Sequence, residues 1–162
     1  MRLYSTLKTQ VVILMLLAVF LTQTACERWQ TNTQAYNGYL VLEFQANRSQ
    51  VRVGDTVQMR FKVTNKDQRP IVLEAKNRPV LDIVVSALPA GNVIRSWSNE
   101  NPDKVSHRME WKPGESQVLE MTWTVSPGDK LGIRISLSGD VNSDLIILKS
   151  SGVMLCLEGF CP

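Results

Sequence analysis

The chain has 162 residues, with 18 lysines and arginines against 15 aspartates and glutamates. This length corresponds to a single domain of ordinary size. Two of the cations, Arg2 and Lys8, lie in the N-terminal segment described next, so the remainder carries 16 basic and 15 acidic residues. A net charge this close to zero gives no indication of binding to nucleic acid or to a membrane surface, and no nucleic-acid partner is expected.

Residues 1–25 have the organisation of a secretory signal peptide. Residues 1–10 hold two basic residues and no acidic one, and residues 11–21 (VVILMLLAVFL) are apolar without interruption. Eleven apolar residues are fewer than the roughly 20 that a membrane-spanning helix requires. A basic start, a short apolar run and a small-residue exit are typical of a cleaved signal, so the sequence predicts export.

Cys26 follows this segment directly, in the sequence TQTAC. This sequence resembles the lipobox of bacterial lipoproteins, in which a cysteine after a small residue becomes the lipidated N-terminus. Gln23 stands where that motif prefers Leu, Val or Ile, whereas Thr24 and Ala25 fit it. The resemblance implies that Cys26 is acylated and anchors the protein to a membrane of the cell envelope.

The other two cysteines, Cys156 and Cys161, lie five positions apart in CLEGFC. Exported proteins meet an oxidising compartment and seldom keep free thiols. The sequence therefore predicts a Cys156–Cys161 disulfide; the alternative is a free, half-buried Cys156 that serves as a small core residue.

Residues 26–38 are polar and weakly patterned, which predicts a lipidated N-terminus followed by a short tether. Residues 39–162 consist of short β runs separated by turn residues, with no amphipathic helix. The clearest strand is TVQMRFKVT, where apolar side chains alternate with polar ones, as on a sheet with one buried face. Turn signals at 89–92, 112–114 and 127–129 separate later strands. About eight or nine strands predict an all-β antiparallel sandwich.

Residues that could carry chemistry are sparse. His107 is the only histidine and has no nucleophile or further ligand at a useful spacing, so no catalytic triad or histidine metal site is expected. The segment Ser138–Asp144 (SGDVNSD) lacks the ligand order of a calcium loop and is interpreted as a hairpin turn. The sequence thus predicts neither an enzyme nor a cofactor or metal site.

Three tryptophans could form either core or a ligand platform. Trp123 lies in the apolar register of its strand and is expected in the core. Trp97 and Trp111 flank a polar loop, so one of them could be exposed there, and these two are the better candidates if that surface binds a ligand.

Four short motifs follow one another over about 80 residues, from Val57 to Leu137. They are the strand Phe61–Asn65, the strand Leu81–Val85, the segment Gly91–Ser98, and Lys112–Glu115 followed by Trp123. In this order and spacing they resemble the intracellular proteinase inhibitor (BsuPI-like) domain family. The resemblance implies an immunoglobulin-like fold, which agrees with the strand pattern, and inhibition of a subtilisin-like serine protease.

The family motifs mark no inhibitory loop, so the candidate contact site comes from the chain itself. A polar segment lies between two predicted strands and is expected to bind a protein partner. It consists of Asn99, Glu100, Asn101, Pro102, Asp103, Lys104 and Val105. The alternative is a structural or accessory domain of the cell envelope, without inhibitory activity, that binds a partner through an exposed sheet edge. Asp82 is expected to bond to backbone or to pair with Arg95.

Overall fold

The computed structural model describes residues 29–36, 39–144, 147–149 and 152–157. The predicted signal peptide, the lipidation site Cys26 and Cys161 lie outside these residues. The elements in chain order are β1 (Gln30–Tyr36), β2 (Leu40–Ala46), β3 (Gln50–Val51), β4 (Thr56–Asn65), β5 (Ile71–Glu74), β6 (Leu81–Leu88), β7 (Asn92–Ser96), helix α1 (Trp97–Glu100), a 3₁₀ turn (Pro102–Lys104), β8 (Arg108–Trp111), β9 (Ser116–Thr124), β10 (Arg134–Asn142), β11 (Ile147–Lys149) and β12 (Val153–Leu157). None of the helices in this part of the chain has the length and hydropathy to span a bilayer.

Two sheets form the body of the domain. The first has the strand order β1-β2-β4-β9, and the second has the order β3-β12-β10-β6-β7, with β11 added to β10. Neighbouring strands are antiparallel except for the short β12–β3 pair. Strand β2 contacts β10 and β12 of the opposite sheet, and β5 and β8 form a separate two-stranded antiparallel sheet. The predicted all-β antiparallel sandwich is confirmed.

The described residues contain twelve strands where the sequence predicts eight or nine. The additional ones include short strands such as β3 and β11, whose two and three residues are too few to show an alternation. These short strands are defined by backbone hydrogen bonds, which the order of side chains in the sequence does not indicate.

A single apolar core lies between the sheets. On β4 the side chains of Val57, Met59, Phe61 and Val63 are all buried, as their alternation predicts. The Phe61 ring packs against Phe44 with ring centroids 6.3 Å apart and planes tilted by 45°. Burial of such apolar surface is the main stabilising contribution to the fold.

All three tryptophans considered above are buried. Trp123 is 2% exposed, as expected for a core residue. The expectation that Trp97 or Trp111 reaches the surface is wrong, because they are 9% and 0% exposed. Both belong to the core cluster, where a large aromatic side chain gains more by burial than by facing water.

Two local expectations for β10 are also wrong. Ser138–Asn142 continues β10 rather than forming a turn, because Val141 is buried in the core and the backbone pairs with β6. The alternation of apolar residues in LGIRISLS, residues 131–138, predicts that Ile133 lies on the inner face, but β10 begins only at Arg134 and Ile133 is 58% exposed.

Residues 30–36 fall within the segment that the sequence assigns to a tether, yet they form β1. This strand pairs with β2 along its whole length, from Gln30 opposite Ala46 to Tyr36 opposite Leu40. An edge strand needs apolar side chains on one face at most, and the bonds to its neighbour come from the backbone. Only residues 27–29 therefore lie between the predicted lipidation site, Cys26, and β1.

The strands divide the loops between two ends. The Trp29 end comprises Trp29 and loops 47–55, 88–92 and 125–133, which are joined by backbone bonds between Asp55 and Val125 and by the pairing of Arg134 with Leu88. The Trp97 end comprises loops 65–70, 75–80, 97–107 and 112–115. Backbone hydrogen bonds join these loops: the Gly114 N–H donates to the Asn65 carbonyl at 2.9 Å, and the Val80 N–H donates to the Ser106 carbonyl at 2.9 Å. At a rise of about 3.3 Å per residue, the ten-residue β4 separates the two ends by roughly 30 Å.

We predict that Gly139→Ala lowers the free energy of unfolding by about 1–3 kcal/mol, because the added methyl would overlap the Phe61 ring in the core. Gly128→Ala is the matched control, since its added methyl would meet no atom closer than 3.8 Å. Urea unfolding of the two variants and of Gly139→Ala/Phe61→Leu tests the contact. Equal stability of Gly139→Ala and Gly128→Ala, or no recovery in the double variant, would contradict it.

Candidate functional site

The candidate contact loop, residues 99–105, lies at the Trp97 end and joins β7 to β8. It is made of two short helical turns, α1 and the 3₁₀ turn, rather than of extended chain. Five side chains are exposed and two are half-buried. The exposed ones are Asn99, Glu100, Pro102, Asp103 and Lys104; the half-buried ones are Asn101 and Val105. The loop thus presents a mixed polar surface that carries charges of both signs.

Its first turn is fixed to the core through Trp97. The indole is buried, and the carbonyl of Trp97 accepts hydrogen bonds from the Asn101 backbone N–H (2.9 Å) and from Asn101 Nδ2 (3.0 Å). Ser96 caps the turn by accepting from the Asn99 N–H at 3.3 Å. The next turn follows directly, with Lys104 N–H donating to the Asn101 carbonyl at 2.9 Å. The loop is therefore held at both turns without relying on its exposed side chains.

Asp82 attaches the same turn to the second sheet. Its Oδ1 accepts from the backbone N–H groups of Ile83 and Ser98, both at 2.9 Å, and its Oδ2 accepts from Ser98 Oγ at 2.7 Å. The first N–H groups of a helix have no partner within the helix, and here the carboxylate supplies one. Burial raises the pKa of Asp82, while the bonds from Ser98 and Ile83 act in the opposite direction.

Of the two expectations for Asp82, the backbone bonding is confirmed and the pairing with Arg95 is wrong. Arg95 instead contacts Asp129, with Nη2 and Oδ1 3.3 Å apart. Asp129 also accepts from Trp123 Nε1 at 3.0 Å and from Ser126 N–H at 2.9 Å. Asp129 lies in the 125–133 loop of the Trp29 end, where the arginine of β7 reaches it across the surface.

The other candidate residues for chemistry, His107 and Cys156, make contacts that contribute to the fold. His107 is exposed, and its Nδ1 lies 3.0 Å from the carbonyl oxygens of Ala75 and Arg78. Across residues 29–36, 39–144, 147–149 and 152–157, no three His, Cys, Asp or Glu side chains are grouped as a metal site would require. Cys156 is disulfide-bonded, and Cys161, its predicted partner, is not among the described residues.

Several open grooves flank the described part of the sandwich near the Trp29 end. One of about 690 Å³ lies on the outer face of the first sheet and is lined by Trp29, Gln58, Arg60 and Glu120 among others. A second, of about 650 Å³, lies between β7 and the 125–133 loop. A third, of about 530 Å³, is mostly apolar and is lined by Leu88, Pro89, Ile133, Arg134 and Met154. No sequence pattern indicates these grooves, because they are assembled from side chains of separate strands.

The loop depends on the Asp82 carboxylate, so we predict that Asp82→Ala lowers the free energy of unfolding by about 1–3 kcal/mol, because the buried Ile83 N–H and the part-buried Ser98 N–H lose this acceptor. Asp82→Asn keeps an oxygen acceptor and serves as the control. Because the folded pKa of Asp82 lies above 3.8, the folded protein holds this proton more tightly than the unfolded chain does. That stabilisation is complete below pH 3.8 and is lost as pH rises through the folded pKa.

An asparagine at position 82 cannot ionise, so the free energy of unfolding of this variant does not fall in this way as pH rises. The free energy of unfolding of Asp82→Asn should therefore rise relative to that of the wild type as pH increases above about 4. Urea unfolding at several pH values measures both effects. Parallel pH curves for the wild type and Asp82→Asn would contradict the assigned environment.

Comparison with known proteins places the chain in no family. No protein-family model matches it, and no curated protein does so at a significant level. Among solved structures, it is similar to a β-glucosidase from Erythrobacter marinus, with 15% identity, a TM-score of 0.41 and coverage of 80% of this chain. The chain spans only 15% of the length of that enzyme. It is also similar to the C-terminal domain of wzt, with 9% identity, a TM-score of 0.41, and coverage of 82% of this chain and 78% of the other.

Proposed function

We propose that this chain is an exported lipoprotein whose β-sandwich binds a protein through the loop at residues 99–105. The observation that carries the proposal is that the loop is fixed by buried groups while its exposed side chains take little part in the fold. Trp97 and Asp82 hold its backbone from below, and Glu100, Asp103 and Lys104 remain at the surface. A loop of this kind loses little conformational freedom when a partner binds.

The resemblance to the BsuPI-like family makes a serine protease the first partner to test. The family motifs themselves fall on residues with structural roles here. Asn65, at the end of one motif, is fully buried and donates from Nδ2 to the carbonyls of Arg69 (2.8 Å) and Trp111 (3.1 Å). Asp82 and Ser98, in two other motifs, hold the loop as described above. The motif residues thus contribute to the fold, and we place the proposed inhibitory contact on the exposed surface between them.

The conformation of the loop limits how inhibition could work. Two helical turns cannot pair along a binding cleft as an extended peptide does. We therefore propose that the loop docks as a rigid surface and obstructs its target, rather than being bound in the manner of a substrate. The domain would act in stoichiometric amounts and remain uncut.

A second candidate function is favoured by the edge of the first sheet. Strand β9 pairs only with β4 among the described strands, so one side of this nine-residue strand is unpaired. Unpaired backbone N–H and C=O groups can accept an added strand from another protein. A structural or accessory envelope domain without inhibitory activity would use this edge to bind its partner.

We predict that Glu100→Ala/Asp103→Ala/Lys104→Ala weakens binding of residues 27–162 to the target protease by about tenfold or more, because charged contact groups are lost. The unfolding midpoint should stay nearly unchanged, since exposed substitutions usually shift stability by at most about 0.5 kcal/mol. Titration against subtilisin-like and trypsin-like proteases measures inhibition, with mass spectrometry recording whether the domain stays intact.

The matched control is Glu43→Ala/Lys62→Ala/Glu120→Ala, which removes the same set of charges from the outer face of the first sheet. Full inhibition by the loop variant would exclude residues 99–105 as the contact. Absence of inhibition by the wild-type domain across the whole panel would reject the inhibitor function and favour the β9 edge.

The lipid anchor is tested separately. We predict that the mature protein from a bacterial host begins at Cys26 and carries the mass of attached acyl chains, and that Cys26→Ser lacks this mass. Cys161→Ser is the control, because it should keep the acyl mass while losing the predicted disulfide. A wild-type protein without acyl mass would contradict the anchor.

A further inference from the structure

The distance available between the predicted anchor and the sandwich is very short. Cys26 and Trp29 are three residues apart, and a chain of three residues spans at most about 11 Å. Trp29 is followed immediately by β1, which is paired to β2 from its first residue, Gln30. An acylated Cys26 would therefore hold the Trp29 end of the sandwich against the membrane surface.

The composition of this end fits such a position. Of the eight large hydrophobic side chains that are exposed in the described part of the chain, five lie at or next to the Trp29 end. These are Trp29, Val53, Val93, Ile133 and Met154, with exposures between 43% and 59%. Tryptophan is enriched at the interface between lipid and water, where its ring lies among the headgroups. Exposed apolar side chains gathered at one end of a protein mark a surface that contacts a partner or a membrane.

The charges at this end favour anionic lipid. The loops of the Trp29 end and the adjoining first residue of β10 carry four basic side chains and two acidic ones. The basic ones are Arg48, Arg52, Lys130 and Arg134, and the acidic ones are Asp55 and Asp129. Both acids already contact arginines, Asp55 through Arg48 and Arg52 and Asp129 through Arg95. Lys130 and Arg134 make no ion pair within the described residues and are exposed.

We propose that the Trp29 end is a membrane-contacting surface that sits on the headgroups of anionic phospholipids. The proposal rests on the proposed lipid anchor and adds an orientation to it. Trp29 lies among the headgroups, the apolar groove at Ile133 and Met154 faces the same surface, and Lys130 and Arg134 contact lipid phosphates. Loop 99–105 is then directed away from the membrane, separated from it by the length of the sandwich.

The test supplies the anchor chemically, so that it does not depend on acylation in the cell. Residues 26–162 are coupled through the Cys26 thiol to a maleimide lipid in vesicles that contain brominated phosphatidylglycerol, a lipid that quenches nearby tryptophan. The buried Trp97, Trp111 and Trp123 are shielded, so quenching reports on Trp29. We expect clear quenching of the wild type and its loss in Trp29→Phe.

A second reporter tests the orientation. Tyr39 is as exposed as Trp29, both at 43%, but it precedes β2 at the opposite end of the β1–β2 pair. In the Trp29→Phe background, Tyr39→Trp should therefore escape quenching. Equal quenching of the two reporters would show a domain lying on its side, and absence of quenching at Trp29 would show that the end does not touch lipid. Either result overturns the proposal while leaving the acylation of Cys26 to be decided by the mass measurement.

The contribution of Lys130 and Arg134 to lipid binding is measured with the uncoupled domain, residues 27–162, which contains every described strand. Its binding to vesicles with phosphatidylglycerol should weaken by roughly 30-fold in Lys130→Ala/Arg134→Ala. Lys66→Ala/Lys112→Ala, which removes two exposed cations from the Trp97 end, is the control and should bind as the wild type does. Equal losses in both variants, or binding only to a protein partner at this end, would contradict the proposal.

Discussion

The backbone ladder between β1 and β2 is the interaction on which the placement of the domain depends. It joins seven residues of a polar segment to the first sheet, so this sheet begins at Gln30. A freely moving segment of the same length would allow the sandwich to take many positions relative to an anchor. The ladder removes that freedom. Because it consists of backbone hydrogen bonds, it does not require apolar side chains in β1.

The same strands that carry this ladder separate two surfaces of different character. At the Trp29 end, exposed apolar side chains occur together with arginine and lysine. At the Trp97 end, loops are joined by dense hydrogen bonding around Asn65, Asp82 and Trp97, and they expose mainly polar groups. The sandwich is about 30 Å long, and its length separates the proposed protein-binding loop from the proposed membrane surface.

Sequence patterns predict the parts of this fold in which side chains face a core. The alternation in β4 and the burial of Trp123 follow from the hydrophobic period alone. Strand β1 could not be predicted in that way, because an edge strand of Gln, Thr and Asn has no apolar face. Ser138–Asn142 was mistaken for a turn because Gly139 and Asp140 are turn formers in isolation; the close approach of Phe61 to Gly139 is a tertiary contact. The burial of Trp97 and Trp111 likewise depends on long-range packing. The sequence identified loop 99–105 as a candidate, but its attachment to Asp82 emerged only from the fold.

The pairing of β1 with β2 is tested by amide hydrogen exchange across residues 27–46, read in peptides that separate the two strands. We expect residues 30–36 to exchange slowly, as hydrogen-bonded strand residues do, so that protection begins within a few residues of Cys26. Exchange of residues 30–36 at the rate of an unstructured chain would contradict this pairing. The segment would then be a tether, and neither the short distance to the membrane nor the fixed orientation of the two ends would hold.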